Sequence, residues 1–373
     1  MHKINVVFLY NGVNSGTNDA VIREWRRMGD EFEIDTVDVT DFAGRFWRFR
    51  PQAVREAIRH GGFRILFAPR SRFLDCVKRT RWMMEEMDRV VRRLLDERSF
   101  DVSFAMQTII PVFRPLKPHF VYTDLCIKAN ALYPVGAGRL KLWNGAIESE
   151  ERNLRACSGV FVMSNHVRQV LIEDYGLPPE RVYRVNGGCN SAVVQSTDPD
   201  RYRRRNILFI GTDWKIKAGD HLVRAFQVVR ERYPDAVLTI VGCRPDVAGP
   251  GIDVVGPIPS SDIAGYLAKA SLFCMVSLRE AFGIAYIEAM RACLPVIAAD
   301  LGATPDFVID DVTGFRVAHD DLEGLIQRLD QLLADPELCE RLGTAGRDLA
   351  MKEYTWEATL RKIATVVRTS VRV

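Results

Sequence analysis

Two glutamates, Glu280 and Glu288, stand eight positions apart in "SLREAFGIAYIEAM", with Gly283 between them. An apolar run, "LFCMVS", precedes them, so the stretch reads as strand, loop and helix. Gly283 lets the backbone approach a ligand closely, and its neighbours Phe282 and Ile284 are expected to take part in donor binding. The helix from about Ile284 directs free N–H groups at the loop, which stabilises phosphate without any side chain. Glu288 lies i+4 from Ile284, on the face of the helix start. A carboxylate there would repel phosphate but can accept both hydrogen bonds of a ribose diol. Glu280, before the turn, can hold the hydroxyls of a sugar. Upstream, "FIGTDWKIKAGDHL" brings Lys215 and Lys217 beside Gly211 and Gly219. Ammonium groups there would neutralise the charge developing on a departing diphosphate. A third stretch, "TIVGCRPDVAGPGIDVVGPIP", is rich in glycine and proline and suits backbone recognition of a flat base.

Each group also has a plainer reading. Acidic residues near a helix start complement its macrodipole, and a lysine in a loop is commonly solvated. His119 opens its strand, at the wrong end for such a site, and His166 follows Ser164, a good N-cap. "DPD" at 198–200 reads as a turn, and no metal site is expected.

The elements that must position these residues alternate strand and helix throughout, the pattern of parallel βαβ layers. Strands are expected at "INVVFLY", "FEIDTVDV", "FRILF", "DVSFAM", "HFVYTD" and "GVFVMS", then at "NILFIG", "AVLTIVG", "IDVVG", "LFCMVS" and "PVIAAD". The fold class is therefore α/β, with two Rossmann-like doubly wound sheets facing a cleft. Expected boundaries are an N-terminal domain over 1–190, a linker over 191–205 and a C-terminal domain over 206–355. A last helix over 356–373 packs back toward the first domain. Ligands of open parallel sheets bind beyond the carboxyl ends of the strands, which selects the loops above.

The order "LFIGTDWKIKAG", "LTIVG", "IDVVGPI", "EAFGIAYIEAMRACLPVIA", "GATPDFV", "TGFRV" and "EYTW" resembles the family 4 retaining glycosyltransferases of the GT-B fold. In the first half, "YNGVNSG", with Gly12 and Gly16, looks like the family's loop near donor phosphate and acceptor. Many members carry a histidine after the "FVY" strand. Here Thr123 and Asp124 follow it, and Asp124 would face the reacting sugar or cap a helix. Many also carry an arginine after the glycine matching Gly211, where this chain has Thr212 and Asp213. Charge neutralisation would then fall to Lys215 and Lys217.

The resemblance implies transfer of a sugar from a UDP- or GDP-sugar to a hydroxyl acceptor, with retention and without a metal or bound cofactor. Glu280 would orient the sugar, Glu288 the ribose, and Lys217 the leaving diphosphate, which itself takes the acceptor's proton. The acceptor would be a carbohydrate, glycolipid or other hydroxyl compound. Another GT-B reaction, such as a nucleotide-sugar epimerase, is an alternative, as is a catalytically silent nucleotide-sugar-binding scaffold. No G-x-G-x-x-G opens either half, which weakens a dinucleotide-dependent reading.

The 373-residue chain is 47% apolar and 27% charged, with a formal charge of only +3, so nucleic acid is not an expected partner. The eight cysteines never come closer than nineteen positions, which supports neither a zinc cluster nor a redox pair. The start, "MHKINVVFLYNG", has too short an apolar core for a signal peptide, and a cytoplasmic location is expected. Residues 45–93 hold fourteen Lys or Arg against five Asp or Glu, hence +9. Interleaved with Phe46, Trp47 and Phe49, that segment suggests peripheral attachment to an anionic membrane surface.

Overall fold

The computed structural model describes residues 3–12, 16–40, 51–61, 77, 80–136, 144–191 and 196–371. The chain divides into two compact units, Met1–Asn186 with Thr359–Val373, and Gly187–Ala358. Each is built on one parallel six-stranded sheet.

In the first unit, β1 (Ile4–Tyr10) leads through α1 (Thr17–Arg27) to β2 (Phe32–Asp38). Helices α2 (Pro51–Gly61) and α3 (Arg81–Asp96) precede β3 (Val102–Met106) and β4 (His119–Thr123). Then come α4 (Ile127–Ala131), α5 (Asn144–Ala156), β5 (Gly159–Val162), α6 (Asn165–Glu173) and β6 (Val182–Arg184). The spatial order is β2-β1-β3-β4-β5-β6, so the winding reverses between β1 and β3. The central strands β3, β4 and β5 are buried throughout because both faces are covered. On one face Phe8 stacks on Phe104 at 5.5 Å, and Trp25 of α1 meets Phe104 edge-on at 5.9 Å. On the other, Val7, Leu9, Val121 and Val160 pack with Leu95 and Leu154.

The second unit runs β7 (Asn206–Ile210), α7 (Gly219–Arg232), β8 (Val237–Val241), β9 (Ile252–Gly256), α8 (Ile263–Lys269) and β10 (Leu272–Met275). It continues with α9 (Ile284–Arg291), β11 (Val296–Ala299), β12 (Gly314–Val317), α10 (Leu322–Ala334) and α11 (Pro336–Glu353). Its order is β12-β11-β10-β7-β8-β9, reversing between β7 and β10. The final helix, α12 (Trp356–Val371), begins in the second unit and continues in the first. There Arg368 pairs with Glu31 and lies over the Phe32 ring.

Two strands, β6 and β12, are absent from the sequence reading. Both are short edge strands, which offer too few residues for a periodic signal. The expected strand "FRILF" lies outside the described residues, as do Phe46, Trp47 and Phe49. Among the described residues no helix is long and apolar enough to cross a membrane.

Candidate active site

The reversal between β7 and β10 makes their two carboxyl-end loops neighbours, and these are the loops carrying Lys217 and Glu280. A backbone hydrogen bond joins them, from Leu278 N–H to the Ile216 carbonyl at 2.8 Å. Asp213 shapes the first loop: its carboxylate accepts from Ile216 N–H at 2.9 Å and its carbonyl from Lys217 N–H at 2.9 Å. Trp214 braces the same turn, lying against Gly219 so closely that a Cβ there would meet the indole at 2.2 Å. Its Nε1–H donates to Asp220 at 2.7 Å. Asp213, which with Thr212 stands where many members of the resembling family carry an arginine, thus holds the turn together.

Lys217 Nζ then reaches Glu280 Oε2 at 2.6 Å, with Ser277 Oγ donating to the same oxygen at 3.3 Å. Glu280 is only 7% exposed and Glu288 only 6%, so neither is a solvated surface charge. Gly211 makes room for the lysine stem, since a Cβ would lie 2.9 Å from Lys217 Cγ. Gly242, after β8, has φ +97°, and a Cβ on it would fall 2.8 Å from the Gly211 carbonyl oxygen. Lys215 is exposed.

Gly283 caps α9 in the left-handed region at φ 97°. A Cβ there would strike the Tyr286 ring at 2.6 Å, and that ring is fixed by a 2.5 Å hydrogen bond from its hydroxyl to the Met275 carbonyl. The first intrahelical bond closes from Tyr286 N–H to Gly283 O, so Ile284 and Ala285 present N–H groups without intrahelical acceptors. Phe282 turns its ring inward. Its side chain is buried against Phe307 and Tyr354, so it serves the core and leaves only its backbone to the loop.

Glu288 makes contacts that the sequence did not reveal. Its Oε1 accepts from Ser191 Oγ at 2.6 Å and from Ser191 N–H at 3.2 Å. Burial raises its pKa above the usual glutamate value, despite the lowering effect of these hydrogen bonds. The turn residues "NGGCNS" were assigned to the domain end and linker, yet Gly188 has no space for a Cβ beside Trp356 N, 2.5 Å away. That tight approach places Asn190 and Ser191, and a glycine pair at a domain end was its only sequence signal.

In the first unit, Gly12 (φ +62°) follows β1, with its carbonyl accepting from Asn18 Nδ2 at 2.6 Å. Gly16 (φ 75°) opens α1. Asp124 follows β4 on the same carboxyl edge, separated from β1 by β3. The N-cap position of α4 is Cys126, two residues beyond Asp124. His119, at the opposite edge, is fully buried with Nδ1 on Ser103 Oγ at 2.8 Å, and burial holds its pKa down to about 4. Asp198 bonds Asp200 N–H and Arg204, a local turn. Among the described residues, no group of three or more His, Cys, Asp or Glu could hold a metal ion.

Residues 204–335 match the family model of the glycosyl transferases group 1. That match covers about a third of the chain and lies within the second unit. Among curated relatives, an MMP α-(1→4)-mannosyltransferase of Mycolicibacterium hassiacum is 26% identical over 245 residues, covering 62% of this chain and 59% of that one. A GDP-mannose-dependent α-(1-6)-phosphatidylinositol monomannoside mannosyltransferase of Mycolicibacterium smegmatis is 31% identical, covering 40% and 44%. The chain thus spans less than two thirds of either relative. Among solved structures, sucrose-phosphate synthase from Thermosynechococcus elongatus superposes with a TM-score of 0.72 at 15% identity, over 98% of this chain and 99% of that one. Anabaena HepE, solved with UDP-glucose, gives a TM-score of 0.66 at 14% identity, over 98% and 100%. The two sheets with their flanking helices are the GT-B architecture, and the residues similar to the group 1 model lie in the second unit.

Proposed function

We propose that the chain transfers a sugar from a nucleotide-diphosphate sugar to an acceptor hydroxyl, with retention at the anomeric carbon. The observation that carries this reading is the Lys217–Glu280 pair, set on close-packed glycine backbone beside the first N–H groups of α9. The donor exchanges partners within that pair. Lys217 turns to the diphosphate and Glu280 to hydroxyls of the sugar. The N–H groups of Ile284 and Ala285 meet the phosphate charge, and Glu288 accepts from the ribose diol. The acceptor oxygen bonds to the anomeric carbon as the bond to the diphosphate oxygen breaks on the same face. The acceptor's proton passes to that leaving oxygen, so no side-chain base is required. Gly12 and Gly16 are assigned to the donor, near its phosphate and the acceptor, and Asp124 to the reacting sugar.

The relatives support this choice of substrates. One is described as using GDP-mannose and a structural neighbour was solved with UDP-glucose, so UDP- and GDP-sugars are the donors to test first. An acceptor with a carbohydrate or glycolipid hydroxyl fits the same comparisons. A cytoplasmic location with peripheral attachment through residues 45–93 belongs to this proposal.

Incubating the purified chain with a panel of UDP- and GDP-sugars and candidate acceptors, with products read by mass spectrometry, tests the reading. One donor is expected to be consumed, at a rate that EDTA does not change. Donor binding without any turnover, transfer or hydrolysis, would instead identify a silent nucleotide-sugar-binding protein. Activity abolished by EDTA and restored by magnesium would overturn the lysine-and-backbone assignment.

A further inference from the structure

The first unit contains a cavity of about 540 Å³ at the amino edge of its sheet, the edge opposite Gly12 and Asp124. It lies between the last turns of α3 and the return loop from β3 to β4. Arg89, Arg92, Arg93, Arg98, Arg114 and Lys117 line it, against the single acid Asp96. Three of these cations are already paired: Arg89 with Glu86, Arg92 with Asp88 and Arg98 with Asp35, each within 2.9 Å. Arg93 and Arg114 have no carboxylate partner among the described residues. Lys117 donates only to the Phe100 carbonyl and lies over that ring.

Arginines in the last turns of a helix complement its macrodipole, which accounts for Arg92 and Arg93. It does not account for Arg114 and Lys117, which arrive from a loop. Nor does it account for the apolar share of the lining, from Leu95, Phe100, Val112 and Leu116. Leu116 is 87% exposed at the rim, the most exposed large apolar side chain among the described residues. The volume is that of a small-molecule site. A phosphate group fits the guanidinium cluster, and a hydrocarbon portion fits the apolar wall and Leu116.

We propose that this cavity binds a phosphate ester bearing an apolar chain, at a site separate from the loops carrying Lys217 and Glu280. Calorimetry on the full chain tests it with dihexanoyl phosphatidic acid, dihexanoyl phosphatidylcholine and inorganic phosphate. Saturable binding of one phosphatidic acid per chain is expected, at least about tenfold tighter than either of the others. Arg93→Ala with Arg114→Ala, both exposed positions, lowers that affinity at least tenfold. Leu116→Asn lowers it for phosphatidic acid and not for phosphate, and Arg224→Ala, an exposed arginine on α7, leaves it unchanged. Absence of saturable binding, equal affinity in the double variant, or inorganic phosphate binding as tightly as the ester would each overturn the proposal. Sedimentation with phosphatidylcholine vesicles containing phosphatidic acid distinguishes the source. Capture that Leu116→Asn weakens assigns a membrane lipid, whereas calorimetric binding without capture assigns a soluble ester.

Discussion

Lys217 and Glu280 each bury most of their charge-bearing ends against the other, with side-chain exposures of 20% and 9%. Removing Lys217 takes the ammonium away from a buried carboxylate, a cost of about 1–3 kcal/mol. Lys217→Ala is therefore expected to lower both melting temperature and turnover, the latter by about 100-fold or more if the ammonium meets the leaving diphosphate. A double variant with Glu280→Gln separates the two effects: the stability losses are less than additive, while turnover is not restored. Glu288 gives a prediction of opposite sign for stability. Its raised pKa means the folded state holds the proton more tightly than the unfolded chain, so its contribution is present at low pH and lost as pH rises through that pKa. At neutral pH the buried carboxylate costs stability. Glu288→Gln, which keeps an acceptor for Ser191, should melt higher yet bind nucleotide more weakly. Wild-type nucleotide affinity, measured by calorimetry, should fall as pH drops through the Glu288 range, and the glutamine variant should lose that dependence. Both glutamates were legible from type and spacing. Their mutual geometry was not, because Lys217 meets Glu280 only through the Leu278–Ile216 bond, a contact between segments about sixty residues apart.

At the scale of elements, the turn at Gly283 joins β10 to α9 in a conformation that only glycine adopts without strain. Gly283→Ala adds about 1–2 kcal/mol of backbone strain before any clash is counted. The Tyr286 ring cannot withdraw, since its hydroxyl is bonded to Met275 and its face meets Phe273. The variant should lose several degrees in melting temperature and bind nucleotide more weakly, checked by thermal shift with and without UDP or GDP. Central strands such as β10 and β11 were readable because all four residues of each are buried. Val182–Arg184 and Gly314–Val317 were not, since an edge strand of three or four residues carries no period to count. The packing of Phe282 was not legible either: its ring forms a cluster with Phe307 and Tyr354, residues distant in sequence, and its backbone is left to the loop.

For the whole molecule, acid sensitivity should originate in the first unit. His119 is neutral when folded, with its pKa held to about 4, whereas the unfolded chain takes up a proton near pH 6.5. The unfolded state thus binds more protons between those values, and stability falls as pH drops from about 6.5 to about 4, by roughly 3 kcal/mol. Denaturant unfolding across that window should show the slope, and His119→Leu should flatten it whatever its absolute stability. The closing helix has a consequence for the order in which the protein can be made. Leu360, Ile363, Ala364 and Val367 of α12 are fully buried, yet residues 359–373 belong with a unit that otherwise ends at Asn186. During synthesis the first sheet therefore emerges about 170 residues ahead of a piece of its own core, and must wait, partly uncovered, while the entire second unit is translated. Each missing Leu, Ile or Val withholds about 1.5–3 kcal/mol of burial. A chain truncated after Ala358 should accordingly be cleaved by protease within the first unit, while the second remains intact. A nascent chain is most exposed to chaperones or aggregation in that same interval.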